Sequence, residues 1–156
     1  MAALALAALA AGCAAPPPPV GTSEAAVLAS RGAPTARYDL PDGAHRLEYA
    51  TGPYGRETWM IDIGADGRVQ LARQVLGEAE FLRVQSHPGI PAAELLRWIG
   101  SPGERRGARR GGQTWSWRYP THECLWFQAS IDAAGVMTDA AYAIDPTCDH
   151  PDSFVK

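Results

Sequence analysis

Residues Gly89–Met137 read GIPAAELLRWIGSPGERRGARRGGQTWSWRYPTHECLWFQASIDAAGVM, and the chain carries this pattern twice. Pro91 opens a short helix, and Leu95, Leu96, Trp98 and Ile99 give it an apolar face. Gly100 stops it and Pro102 blocks its continuation. Trp115, Trp117 and Tyr119 then alternate with Ser116 and Arg118, so the three rings share one face of a strand over Thr114–Tyr119. Leu125–Asp132 is a second strand, Ala133-Ala134-Gly135 a tight turn, and Val136–Ile144 a third strand. Burying the rings contributes several kcal/mol at about 25 cal/mol per Å2, which places them in a sheet core. An exposed aromatic platform for a partner is the other reading of the same alternation.

The first half of the chain holds a fainter copy. Gly21, Gly32 and Pro34 stand 68 positions before Gly89, Gly100 and Pro102. The same spacing relates Ile63 to Ile131, Gly67 to Gly135, Val69 to Met137 and Leu76 to Ile144. Between these anchors Leu47-Glu48-Tyr49 matches Trp117-Arg118-Tyr119 at a spacing of 70. That implies two extra residues after the second helix, offset by two near Gly52–Gly55. Ser23 is suited to cap a helix that begins at Glu24 and ends at Arg31 before Gly32. Arg46–Ala50, Thr58–Gly64 and Arg68–Leu76 supply three strands, with a hairpin turn at Ala65-Asp66-Gly67. Each copy therefore reads helix, strand, strand, strand. The expected class is α+β, two tandem helix-plus-antiparallel-sheet repeats over residues 23–85 and 86–145. Glu78–Gln85 bridges them, as a strand extension or a packed linking segment.

Hydrophobic content of 46% and charged content of 20% are those of a globular chain, and a net charge of −3 gives no case for nucleic acid. Met1–Gly12 is an apolar run too short to span a bilayer, which needs about 20 residues. It matches the apolar core of a secretory signal. Ala10-Ala11-Gly12-Cys13 resembles a bacterial lipoprotein signal, with residues 1–12 removed and Cys13 carrying lipid. That resemblance implies an outer-membrane anchor with the body in the periplasm. Residues 13–22 form a linker, whose Pro16–Pro19 run is expected to be an extended spacer holding the body off the membrane. Residues 146–156 read as a tail.

The repeat also resembles a family. Gly89, Glu94, Leu95, Gly100, Pro102, Trp117, Tyr119, Phe127 and Gly135 follow the pattern of the SmpA/OmlA domain of BamE-like outer-membrane lipoproteins. Gly21, Leu28, Gly32, Pro34, Tyr49, Trp59 and Gly67 repeat it in the first copy. The resemblance implies two helices on a three-stranded antiparallel sheet and a non-catalytic accessory role in envelope assembly, with no cofactor. A tandem pair of such units is also similar to β-lactamase inhibitor protein, which implies a binding protein that caps a periplasmic enzyme through its sheet.

In an oxidising compartment Cys124 and Cys148 are expected to form a disulfide. It would close a loop of about 24 residues and be worth about 3 kcal/mol. His122-x-Cys124 and Cys148-x-His150 also hold the ligand types that zinc accepts, at a spacing tighter than usual. A Cys-His nucleophile at Cys124 has no accompanying signature. Arg105, Arg106, Arg109 and Arg110 lie in a segment read as a loop, either simply solvated and mobile or suited to anionic lipid headgroups or an acidic protein surface. With Trp115, Trp117 and Tyr119 they are the candidate binding residues. Because neither the Arg segment nor the Cys124 region has a counterpart in the first copy, specific function is expected there.

Overall fold

The structure, a computed structural model, describes residues 16–121 and 123–146. In chain order it contains α1 (Glu24–Arg31), β1 (Ala36–Asp39), β2 (His45–Ala50), β3 (Thr58–Ile63), β4 (Val69–Gln74), α2 (Glu78–Gln85), α3 (Ala92–Ile99), β5 (Glu104–Gly107), β6 (Gln113–Arg118), β7 (Leu125–Ile131) and β8 (Met137–Ile144). The strands form two antiparallel meanders, β1-β2-β3-β4 and β5-β6-β7-β8. The fold is α+β, with a helix-plus-sheet unit in each half.

The two units share one skeleton at a constant spacing of 68. Gly21 N–H donates to the Val69 carbonyl and Gly89 N–H to that of Met137, both at 2.8 Å. Bridges pair Ser23 with Arg68 and Pro91 with Val136. A bulge falls at Asp62/Ile63 and again at Ser130/Ile131. Ser23 accepts from Ala26 N–H at the start of α1, and the cap glycines Gly32 and Gly100 take φ of 76° and 77°.

Several expectations from the sequence change. Each sheet has four strands, not three: β1 and β5 precede the expected set. They are four-residue edge strands, largely exposed, so no apolar alternation marks them. The basic segment is accordingly not a loop throughout. Arg105 and Arg106 lie on β5, and Arg109 and Arg110 in a 3-10 turn over Arg109–Gly111. It does have a counterpart, since β1 and the turn over Pro41–Gly43 match it, with Asp42 and Arg110 at φ of 58° and 60°. The spacing of 70 is also wrong: Leu47 corresponds to Trp115 and Tyr49 to Trp117. A slip of two residues leaves every strand side chain on its own face, so the apolar pattern could not distinguish the two registers. Finally, of the two readings of Glu78–Gln85 the packed linking segment holds and the strand extension does not, since it is the helix α2, and the Pro16–Pro19 run lies against the body. Arg31 donates to the Pro16 carbonyl, and Thr22 N–H to that of Pro19.

Packing follows from strand alternation. The front face of the first sheet buries Leu47, Ile61, Ile63 and Val69 against Val27 of α1. The front of the second buries Trp115, Trp117, Phe127, Ala129, Ile131 and Met137 against Leu95, Trp98 and Ile99 of α3 and Phe81 and Val84 of α2. Phe81 stacks on Phe127 with ring centroids 4.1 Å apart.

The units join where the end of α3 meets the back face of the first sheet. Ser101 N–H donates to Glu48 at 2.9 Å, and Arg46 donates to the Arg97 carbonyl at 2.8 Å. Arg73 of β4 pairs with Glu80 of α2 at 2.7 Å. The layers thus run α1, first sheet, α2 with α3, second sheet.

Gly100 is held by space as well as by φ: a Cβ there would stand 2.7 Å from Thr58 Cγ2 and 3.1 Å from the Glu48 carboxyl carbon. Gly32 has the same backbone and open space around it. Gly32→Ala is therefore expected to cost only the backbone strain, about 1–3 kcal/mol. Gly100→Ala should add about 1–3 kcal/mol of overpacking. Urea denaturation of the two variants measures the difference; equal losses would show that the junction is loosely packed.

Candidate functional site

The repeat makes the two back faces directly comparable: the end of α3 covers one, and among the described residues no helix covers the other. On the first sheet the back face carries Tyr38, Arg46, Glu48, Met60 and Asp62. Glu48 is fully buried; it accepts from Tyr38 Oη at 2.5 Å and from Ser101 N–H at 2.9 Å. Arg46 pairs with Asp62 through two nitrogens, at 2.5 and 2.7 Å. Burial, then the bond to the Glu48 carboxylate, pushes the Tyr38 hydroxyl well above the ordinary tyrosine range. The bond to the Asp62 carboxylate raises Arg46 by favouring its cation, against the effect of burial.

The corresponding positions on the second sheet are Arg106, Thr114, Ser116, Gln128 and Ser130. The buried charges of the junction are replaced by small neutral polar groups, and Gln128 donates to the Ser116 hydroxyl at 2.9 Å. Two adjoining hollows, of about 250 and 340 Å3, lie over this face and share Glu104, Arg106, Trp126 and Pro146. Arg106 pairs with Glu104 at 2.9 Å and stays largely exposed.

One rim of the face is a clasp between the units. Arg118 forms a bidentate pair with Asp145, at 2.6 and 3.3 Å, and donates to the Pro53 carbonyl of the β2–β3 loop. Its guanidinium lies 4.6 Å from the Trp126 ring centroid and 5.1 Å from that of Tyr54. Tyr54 itself is 77% exposed. Asp145 N–H donates to the Cys124 carbonyl at 2.8 Å, which holds the end of β8 beside the clasp.

The candidate residues divide. Trp115 and Trp117 are buried and Tyr119 packs against the same core, so the aromatic strand builds the sheet interior instead of an exposed platform. Arg105 sits over Trp115 at 4.3 Å, on the front face, whereas Arg106 is on the back. The four arginines are therefore not one patch. Cys124 is disulfide-bonded and takes φ of 49°. Cys13, His122, Cys148 and His150 lie outside the described residues. Among the described residues no three His, Cys, Asp or Glu side chains gather as a metal site. Another hollow, of about 530 Å3, lies between the start of α2 and the β6–β7 loop. Tyr142 lines it, and burial raises its hydroxyl above the usual range.

Arg118, Trp126, Tyr54 and Asp145 were not singled out by the sequence. Arg118 was visible only as a spacer between rings, and nothing local pairs it with an aspartate 27 positions away. The one available signal was the strand period, which puts Ser116 and Arg118 together on the face opposite the rings. No family model matches this chain, and searches of curated proteins and of solved structures also find no match.

The covered face yields a pH dependence. A hydroxyl whose folded pKa is raised is stabilised in its neutral form, so its contribution is complete below the unfolded value of about 10 and is lost as pH climbs toward the higher folded value. Stability measured by denaturant titration should fall as pH rises above about 10. Tyr38→Phe should flatten that fall. Parallel curves for the variant and the parent would remove Tyr38 from the account.

Proposed function

We propose that this protein is a non-catalytic, BamE-like accessory module of envelope assembly, anchored to the outer membrane by lipid on Cys13, with its body in the periplasm. It takes a protein partner on the back face of the second sheet. What carries the reading is the contrast between two equivalent faces. The first is occupied by a chain segment whose backbone is gripped by side chains, and on the second, among the described residues, the chain crosses the same strand framework only at the rim, through Pro53, Tyr54 and Pro146. Its neutral, hydrogen-bonding floor and its rim of Arg106, Arg118 and Tyr54 suit a polypeptide surface. The anchor and the compartment rest on the Cys13 signal pattern, and the family role on the resemblance of the repeat.

The runner-up is a protein that caps a periplasmic enzyme with this same face. It rests on the tandem arrangement of the two units; the fourth strand in each departs from the three that the SmpA/OmlA resemblance implies.

Affinity purification of the full chain from detergent-solubilised envelopes separates the two. Recovery of barrel-assembly components supports the first reading, and recovery of a single soluble enzyme the second. A face variant combining Arg106→Glu with Gln128→Arg should lose about 90% or more of either partner, as expected when a central contact becomes repulsive. Undiminished recovery with that variant would show that the partner binds elsewhere.

A further inference from the structure

The first unit lacks something that the second has. In the second unit α2 lays Phe81 flat on Phe127 and fills the front face beside α3. Trp59 stands at the position equivalent to Phe127, and no described helix covers it. Tyr49 and Trp59 remain half-buried there, with the Arg31 guanidinium 5.8 and 5.9 Å from their ring centroids. Beside them α1 turns Ala25, Ala26, Leu28 and Ala29 outward, and Val20 is 73% exposed. The surface is small and apolar at its centre, with two amphipathic rings and arginine at its margin. That is the composition of a segment lying at a lipid interface.

The path of the chain says what covers it. Gly21 N–H donates to the Val69 carbonyl, Val69 N–H donates to that of Thr22, and Arg31 of α1 donates to that of Pro16. The linker is thus tied along the first unit, and the described chain begins at the edge of this surface. Cys13 is three residues upstream of Pro16, a reach of at most about 11 Å at 3.8 Å per residue. A lipid there cannot leave the body free of the membrane. It must bring α1, and not the second sheet, against the bilayer.

We infer that the outer face of α1, with Val20, Tyr49 and Trp59, rests on the lipid headgroup region, and that the layer order then points the open face of the second sheet away from the membrane. This rests on the proposed lipid anchor. The Arg105–Arg110 segment, on the second unit, takes no part in it.

The test uses the full lipidated chain in vesicles of phosphatidylethanolamine and phosphatidylglycerol, carrying either Leu28→Cys or Ser130→Cys. Both positions are exposed, so neither change disturbs packing. Modification by a membrane-impermeant maleimide is followed in vesicles and in detergent. Leu28→Cys should react about tenfold more slowly in vesicles than in detergent, and Ser130→Cys equally in both, as for one face buried in the headgroups. Equal rates at the two positions in vesicle-bound protein would overturn the orientation while leaving the anchor intact. Envelope protein without an acyl group on Cys13, by mass spectrometry, would remove the anchor and this orientation with it.

Discussion

One peptide group, that between Gly100 and Ser101, is bonded to both sheets at the centre of the junction. Its carbonyl accepts from Trp117 Nε1 at 3.0 Å, on the front of the second sheet. Its N–H donates to the buried Glu48 carboxylate at 2.9 Å, on the back of the first. A helix end normally leaves such groups to water, and burying them unpaired is costly. Here both are satisfied by opposite sheets, and the N–H bond, being to a carboxylate, is of the kind worth about 1.5–3 kcal/mol. The close approach needs a residue without a side chain, and the helix stop needs positive φ. Glycine meets both requirements at one position.

The first unit contains half of this device. Tyr49 Oη donates to the Gly32 carbonyl at 3.1 Å, as Trp117 does to that of Gly100. No described sheet stands beyond α1 to receive the other side. The asymmetry runs through the molecule. Sheet, cap glycine and ring are common to both units, while the buried charges of Glu48, Arg46 and Asp62 occur only on the face that is covered. Where the second sheet faces outward, the same sites hold Ser116, Thr114 and Ser130. Buried ionic groups are tolerable only when paired, and both Arg46–Asp62 at the junction and Arg118–Asp145 at the clasp meet that condition.

Much of this was legible in the sequence, and the failures have physical causes. Cap residues, hairpin glycines and the ring alternation have local signatures, and Ser23, Gly32, Gly67, Gly100 and Gly135 behave as their chemistry dictates. The edge strands β1 and β5 escaped because short exposed strands carry no apolar period. The repeat register slipped because a shift of two residues is invisible to strand alternation; the positive φ shared by Asp42 and Arg110 fixes it. α2 is a helix whose weight of burial rests on Phe81 and Val84, too few to announce a period. The clasp of Arg118, Asp145 and Pro53 joins distant segments, and no local pattern encodes such contacts. The open face was legible only in outline: it takes the structure to show that its twin is covered.

Function, on this account, is a consequence of an unfinished stack. One sheet face is covered from within the chain, and the equivalent face is where the proposed partner would bind. The most direct measurement of that premise is native-state hydrogen exchange at the Ser101 amide. If the Gly100–Ser101 peptide joins the units, the amide should exchange only through global unfolding, as slowly as the amides of β3 and β7. Rapid exchange of Ser101 while those strands stay protected would contradict the account, because the units would then part without unfolding.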